Sequence, residues 1–159
     1  MKVNFQALGC RLNEAELERW STEFLGKGHQ ITPQSEEADL IIFNSCSVTA
    51  EADRKSRNQI NKTHKSNPNA KLVVTGCYAS LQTQRVEQQL GVDLVIPNVQ
   101  KEMLVQRIQD EFNLVDIPVI SRNDEPRIDS TIFARGRHRA FIKIQDGCRY
   151  RCTFCIVTV

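Results

Sequence analysis

The sequence predicts an α/β fold: a doubly wound parallel sheet, followed by the beginning of a second domain. Short apolar segments alternate with helical patterns between residues 2 and 112, and this alternation is typical of parallel sheets with right-handed crossovers. Residues 40–43 are apolar at every position, as expected for a strand that helices cover on both faces. A further strand with alternating apolar residues begins after a polar connection, near residue 139. This last strand indicates the second domain.

The first strand is predicted at residues 2–8, ending at Gly9 and Cys10. Asn13 is predicted to cap the helix that follows, because asparagine side chains accept hydrogen bonds from free N–H groups at helix starts. Glu14 and Glu16 would favour the first turn through the helix dipole. The expected buried stripe of this helix comprises Leu17, Trp20, Phe24 and Leu25.

The second strand, 40–43, leads to Asn44, Ser45 and Cys46, and a helix is predicted from about residue 49 to residue 65. That helix carries many basic and few apolar side chains, which favours a mostly solvated surface over an RNA contact. A third strand at 72–74 leads to Cys77. The remaining elements are a helix at 82–90 with Leu81, Val86 and Leu90 inward, a strand at 94–97, and a helix that buries Leu104, Ile108 and Phe112.

The composition is that of a globular protein, with 40% apolar and 25% charged residues. A formal net charge of +2 means that any nucleic-acid binding must come from local patches. The sequence has neither an apolar run long enough to cross a bilayer nor a signal-peptide pattern, so we expect a cytoplasmic protein. In that reducing compartment, six cysteines are better explained as ligands or catalytic groups than as disulfides.

Three of the cysteines follow predicted strands directly. Cys10, Cys46 and Cys77 come after the first, second and third strands. The carboxyl ends of parallel strands line the ligand crevice of such sheets, so these thiols would meet at one edge if the strands are neighbours. Free cysteines are also common as small buried apolar residues. Three at equivalent strand ends favour a three-cysteine ligand site.

The other three cysteines, Cys148, Cys152 and Cys155, have the spacing C-x3-C-x2-C. One short loop can wrap three thiolates around a metal centre, whereas zinc sites and ferredoxins usually use four protein ligands. Three ligands therefore suggest a centre with a vacant position that can bind a substrate. A structural zinc site is the alternative.

Three segments are predicted along the chain: an N-terminal domain at 1–113, a linker at 114–138, and the start of a second domain at 139–159. Periodicity is lost in the linker, where proline, glycine and acidic residues mark a polar connection. Basic residues gather just before the strand that begins at residue 140 and could neutralise RNA phosphates; they are Arg135, Arg137, His138 and Arg139.

With the aromatic Phe154 before its last cysteine, the C-terminal motif resembles that of radical S-adenosylmethionine enzymes. Combined with three separate N-terminal cysteines, the whole chain resembles the methylthiotransferases. The runs Gly9-Cys10-Arg11-Leu12-Asn13 and Asn44-Ser45-Cys46-Ser47-Val48-Thr49 are most similar to the branch that acts on threonylcarbamoyladenosine in tRNA.

The resemblance implies two 4Fe-4S clusters. Cys148, Cys152 and Cys155 would hold the cluster that binds S-adenosyl-L-methionine, with Phe154 near its adenine. The N-terminal cysteines would hold an auxiliary cluster; they are Cys10, Cys46 and Cys77. Asn13, Asn44 and Ser45 would then be donors to sulfur.

The reaction implied is conversion of N6-threonylcarbamoyladenosine, next to the anticodon, to its 2-methylthio derivative. The implied partners are a tRNA anticodon loop, an electron donor such as flavodoxin or ferredoxin, and a sulfur source, with no membrane. A complete barrel needs on the order of 200 or more residues, whereas this chain ends at Val159. We therefore expect an N-terminal fragment, with a truncated barrel, that is inactive alone.

Two alternatives stay open. A methylthiotransferase of the same kind could act on isopentenyladenosine in tRNA or on a ribosomal protein. The chain could instead be a non-enzymatic iron–sulfur or zinc-binding module used for electron transfer or partner docking.

Overall fold

The computed structural model describes residues 1–114 and, beyond them, the single residues 145, 148, 150, 152 and 153. The predicted linker from residue 115 onward and the predicted strand at 140–144 lie outside the described residues, as do Phe154 and Cys155. The domain boundaries and the beginning of a barrel therefore stay predictions.

The described chain forms one five-stranded sheet in which all pairings are parallel. The strand order is β2-β1-β3-β4-β5. The strands are β1 (Lys2–Ala7), β2 (Gln30–Ile31), β3 (Leu40–Ser45), β4 (Lys71–Gly76) and β5 (Leu94–Ile96). The predicted α/β parallel sheet is confirmed, and the two-residue strand β2 is an addition that the sequence did not indicate.

Helices connect the strands. They are α1 (Arg11–Gly26), α2 (Ala50–Ser66), α3 (Cys77–Leu81), α4 (Thr83–Glu87) and α5 (Leu104–Phe112), with 3₁₀ helices at Ser35–Glu37 and Asn98–Met103. Among the described residues, no helix has the length and apolar character that crossing a membrane requires.

The core lies on both faces of the sheet. Leu40 and Ile42 of β3 pack with Trp20, Phe24, Leu104 and Ile108 on the face that α1 and α5 cover. Ile41 and Phe43, which alternate with them along the strand, pack with Ile60, Tyr78 and Val86 on the other face. This alternation explains why residues 40–43 are all apolar, because successive side chains of a strand point to opposite faces.

Helix α1 begins three residues earlier than predicted. Its N-cap is Cys10, and Asn13 lies inside the first turn, so the prediction that Asn13 caps the helix is wrong. The amide of Asn13 instead donates to the carbonyl of Leu8 at 2.8 Å. Glu16 was expected to act through the helix dipole in the first turn, but it is buried and contacts Asn44 and Lys101.

The predicted helix at 82–90 is replaced by two short helices, α3 and α4. Only Val86 of the three expected inward residues is buried; Leu81 is 57% exposed and Leu90 is 78% exposed. The first helix begins immediately after β4 because Gly76 adopts φ +98°, a conformation that turns the chain sharply. The break at Gln82 separates the two helices.

Helix α2 is largely a solvated surface, as predicted. Thr49 caps it by accepting a hydrogen bond from the amide of Ala52 at 3.1 Å. Arg54 donates two hydrogen bonds to Glu51, at 2.7 and 2.8 Å, on the exposed side of the helix. Its buried side is narrow, comprising Ser56, Ile60 and Thr63.

Candidate functional site

Cys10, Cys46 and Cys77 lie at one edge of the sheet. Strands β1, β3 and β4 are direct neighbours, and their carboxyl ends lead into these three cysteines. The strand order reverses between β1 and β3, and ligands of doubly wound sheets bind at such a reversal. The condition that the predicted site required, neighbouring strands, is therefore met.

Two glycines let the loops of this edge approach each other. Gly9 has φ +116°, and a Cβ there would lie 2.7 Å from the Sγ of Cys46. A Cβ on Gly76 would lie 2.6 Å from the Oδ1 of Asn44 and would also overlap the backbone of Ser45. Any larger residue at either position would push the cysteine loops apart.

The three thiols are free and differ in accessibility. Cys46 is buried, Cys77 is half-buried and Cys10 is exposed. The edge is therefore reached from solvent on the side of the β1–α1 loop.

Each cysteine is held by a polar neighbour. The thiol of Cys10 donates to Oδ1 of Asn13 at 3.7 Å, and the amide of Asn98 donates to the Sγ of Cys77 at 4.0 Å. The buried hydroxyl of Ser56 accepts from the amide of Cys46 at 3.3 Å and donates to its carbonyl at 2.8 Å. Each of the three cysteines is therefore positioned by a different polar side chain.

Sequence reasoning missed Asn98 and Ser56. Asn98 begins the 3₁₀ helix that follows β5, the strand next to β4. The rule that identified the cysteines, placement just after a strand of the sheet, would have identified this residue as well. Ser56 gives no comparable signal, because it lies within the second turn of α2.

Asn44 and Ser45 were expected to donate to sulfur, and their donors have other partners. The amide of Asn44 donates to Oε2 of Glu16 at 2.8 Å. The hydroxyl of Ser45 donates to the carbonyl of Thr75 at 2.5 Å and accepts from the amide of Ala79 at 3.2 Å. The two side chains therefore stabilise the backbone under the cysteines. Of the three predicted donors, Asn13 contacts a cysteine, and it does so as an acceptor.

A buried ion pair lies beside this edge. The ammonium of Lys101 is 2.6 Å from Oε2 of Glu16, and the two side chains are 5% and 3% exposed. Lys101 Nζ also lies 5.9 Å from the centre of the Trp20 ring. The sequence did not indicate the pair, because its members are separated by 85 residues.

The pKa of the Cys77 thiol is affected by its burial and by several neighbouring groups. Burial raises the pKa of the Cys77 thiol, while the charge of Lys101 and the hydrogen bond from Asn98 lower it. Negative charge on Cys46 or Cys10 raises the same pKa. A cation bound at this edge would stabilise the cysteines as thiolates.

The chemistry of the donor set fits an iron–sulfur cluster, which takes cysteine thiolates as its protein ligands. Within residues 1–114 and the few described beyond them, no three His, Cys, Asp or Glu side chains are arranged to hold a metal ion. A 4Fe-4S cluster places its cysteines on different iron atoms, so their sulfurs do not converge on one point. Three thiols supplied by three separate loops match that requirement.

The C-terminal cysteines are described only in part. Cys148 is half-buried and Cys152 is exposed, and both are free. Cys155 and Phe154 lie outside the described residues. The three-cysteine loop and its aromatic residue stay predictions of the sequence.

Comparison with known proteins gives one family match and many named relatives. The model of "Uncharacterized protein family UPF0004" matches residues 2–97, a range that includes all five strands and the first three cysteines. A threonylcarbamoyladenosine tRNA methylthiotransferase MtaB from Aquifex aeolicus is 35% identical over 99% of this chain. The protein of the same name from Bacillus subtilis is 32% identical over 98% of the chain.

A relative with a different named substrate matches nearly as well. The ribosomal protein uS12 methylthiotransferase RimO from Pectobacterium atrosepticum is 32% identical over 98% of this chain. The matched region covers 39%, 35% and 34% of these three relatives in the order given. The chain therefore spans between a third and two-fifths of their length.

Proposed function

This chain belongs to the UPF0004 family, whose model matches residues 2–97, and on that basis we propose that it is the amino-terminal part of a tRNA methylthiotransferase. The resemblance to methylthiotransferases that its motifs indicated is confirmed, since relatives with that name align with 98% or more of the chain. The observation that carries the proposal is the position of Cys10, Cys46 and Cys77 at the ends of three adjacent parallel strands.

The proposed substrate is N6-threonylcarbamoyladenosine next to the anticodon of tRNA, converted to its 2-methylthio derivative. Two observations support this choice. The sequence after Cys10 resembles that branch, and relatives from two organisms carry the name of this activity at 35% and 32% identity.

A ribosomal protein is the second candidate substrate. It is supported by the relative named for ribosomal protein uS12, at 32% identity over nearly the whole chain. Relatives named for the two activities have similar sequence identity to this chain. Identification of the methylthiolated product is therefore needed to choose between the two substrates.

The cofactors proposed are two 4Fe-4S clusters and S-adenosyl-L-methionine. Cys10, Cys46 and Cys77 would hold the auxiliary cluster. The other cluster would be held by Cys148, Cys152 and Cys155, with Phe154 beside the S-adenosylmethionine. When bound, these groups would supply the one-electron chemistry and the methylthio group that no side-chain acid or base can provide.

The described residues would prepare the auxiliary site. Asn13 orients the exposed thiol of Cys10, and Ser56 fixes the backbone of Cys46 from both sides. Asn98 places an N–H beside the sulfur of Cys77, a contact of the kind that tunes reduction potential. Exposure of Cys10 leaves an open side for an incoming sulfur source.

The partners proposed are a tRNA anticodon loop, an electron donor such as flavodoxin or ferredoxin, and a sulfur source. With a net charge of only +2, RNA contact would depend on local groups of basic residues. The residues that we assign to phosphate contact directly precede the predicted strand at 140–144; they are Arg135, Arg137, His138 and Arg139.

Iron and labile sulfide per chain, measured after anaerobic reconstitution, test the cluster assignment. The parent chain is expected to bind about eight irons, and a Cys10→Ala, Cys46→Ala, Cys77→Ala variant about four. The matched control replaces Cys148, Cys152 and Cys155 with alanine and is also expected to retain about four. If the parent and the first variant both bind about four, the N-terminal cysteines are packing residues and the proposal is wrong.

The substrate is tested with the full-length protein that contains this sequence. Expressed in cells that lack 2-methylthio-threonylcarbamoyladenosine, it should restore that nucleoside in digested tRNA, detected by mass spectrometry. A methylthio group on ribosomal protein uS12 instead of on tRNA would establish the second candidate.

A further inference from the structure

The buried pair of Lys101 and Glu16 is one of two ion pairs that join the same two segments of the described chain. It links α1 to the 3₁₀ helix Asn98–Met103, with the ammonium 2.6 Å from the carboxylate. Arg19 and Glu102 join the same two segments through an exposed pair, also at 2.6 Å. Buried ion pairs are often no more stabilising than apolar residues of similar size. Burial of the first pair therefore calls for another explanation.

Hydrogen bonds connect this pair to the loops of the three cysteines. Oε2 of Glu16 accepts from the Asn44 amide at 2.8 Å, two residues before Cys46. The same Asn44 amide lies 3.4 Å from the carbonyl of Asn13, whose side chain accepts from Cys10.

Lys101 is linked to the third cysteine. It lies in the same 3₁₀ helix as Asn98, which donates to the Sγ of Cys77 at 4.0 Å. Asn44, which donates to the carboxylate that pairs with Lys101, also lies against Gly76, the residue before Cys77. The buried pair therefore lies beside the edge that carries the three cysteines.

We propose that Lys101, held in place by Glu16, is a positioning residue that raises the reduction potential of an iron–sulfur cluster bound by Cys10, Cys46 and Cys77. The inference rests on the proposed function, because it requires that these cysteines hold a cluster. Net charge near a cluster and hydrogen bonds to its sulfurs set its potential. A fixed ammonium in a poorly solvated site favours the reduced state, which carries one more negative charge.

The test is an anaerobic redox titration followed by electron paramagnetic resonance. To isolate one cluster, all variants are made in the 159-residue chain with Cys148, Cys152 and Cys155 replaced by alanine. Lys101→Met is expected to shift the midpoint to a more negative potential. Arg19→Met, which removes a positive charge from the exposed pair on the same segments, is expected to leave the midpoint unchanged.

A second variant keeps the test decisive if Lys101→Met does not fold. Glu16→Gln combined with Lys101→Met removes both charges and leaves no ion unpaired, so it is expected to fold. Its midpoint should also shift to a more negative potential, by less than in Lys101→Met, because loss of the Glu16 carboxylate offsets part of the effect of losing the ammonium.

Iron analysis of the same samples distinguishes failure of the inference about Lys101 from failure of the cluster assignment. If the isolated site binds iron and both variants keep the parent midpoint, the inference is wrong and the proposed function stands. If the parent site binds no iron, the cluster assignment fails and the inference fails with it.

Discussion

Gly9 packs against Cys46 so closely that a Cβ on Gly9 would lie 2.7 Å from both the Cβ and the Sγ of that cysteine. The contact joins the loop after β1 to the end of β3, the two neighbouring strands between which the strand order reverses. Gly9 also has φ +116°, a backbone conformation that other residues rarely adopt. The spacing of Cys10 and Cys46 therefore depends on this glycine.

Replacing Gly9 with alanine is expected to destabilise the domain by about 1–3 kcal/mol, through backbone strain and overlap with Cys46. Because the two cysteine loops would be displaced, iron bound at the N-terminal site should also decrease. Urea unfolding of the apo chain and iron analysis of the reconstituted chain measure the two effects.

Gly26→Ala is the matched control. No atom lies within 4 Å of a Cβ at Gly26, and the residue ends α1. Alanine is expected to stabilise the chain by about 0.5–1 kcal/mol, because it restricts the unfolded state. Equal effects of the two substitutions would contradict the role given to Gly9.

Ser56→Ala is expected to cost about 1–3 kcal/mol, since it leaves the buried N–H and C=O groups of Cys46 without their side-chain partner. Ser66→Ala serves as the control, because that exposed hydroxyl bonds only the carbonyl of Thr63 at 3.0 Å. Chemical unfolding compares them. A loss of less than about 0.5 kcal/mol in Ser56→Ala would show that Cys46 is held by other contacts.

Lys101→Met is expected to destabilise the apo chain by about 3–5 kcal/mol, because the buried carboxylate of Glu16 would lose the counter-charge of Lys101. Arg19→Met should cost less than about 1 kcal/mol, since Arg19 and Glu102 are 45% and 65% exposed. Urea unfolding of both variants gives the comparison. Similar losses would mean that Glu16 is stabilised without Lys101.

Tyr78→Phe is expected to stabilise the chain by about 1 kcal/mol at neutral pH. The hydroxyl of Tyr78 is buried and has no hydrogen-bond partner within the described part of the chain, so its removal relieves the cost of an unsatisfied polar group. Thermal unfolding of the apo chain measures the change. A decrease in stability would show that the hydroxyl has a partner.

The same variant has a pH signature. Burial raises the pKa of Tyr78, although the charges of Arg57 and Arg85 oppose the shift. A pKa above the unfolded value of about 10 makes the folded state lose stability as pH rises from about 10 through the folded pKa. Tyr78→Phe lacks that loss, so its advantage over the parent should grow at alkaline pH. An advantage that is constant with pH would contradict the shift.

The helices and strands that have a regular pattern of apolar residues were predictable from the sequence. Residues 40–43, apolar throughout, became the central strand β3. Of the predicted stripe of α1, Leu17, Trp20 and Phe24 are buried and Leu25 is half-buried. The prediction failed where one local residue decides the path. Gly76 turns the chain directly into α3, so two short helices replace the single helix that was predicted. Leu81 and Leu90, which were expected to face inward, are exposed.

The candidate site was predictable in the same limited way. Placement after apolar strands identified Cys10, Cys46 and Cys77, because the carboxyl ends of parallel strands share an edge. Placement after a strand could not predict which side chains donate hydrogen bonds to the cysteine sulfurs. Asn44 and Ser45 are the last two residues of β3, directly before Cys46, yet they donate hydrogen bonds to Glu16 and Thr75.

The sequence by itself determined the α/β class, the set of cysteines and the family, because periodicity and short motifs are properties of neighbouring residues. Only the tertiary structure decided that β1, β3 and β4 are adjacent and that Lys101 meets Glu16 across 85 residues. Strand order and buried charge pairs depend on how distant segments pack. No local pattern encodes that packing, because each segment would have the same propensity in a different arrangement of the chain.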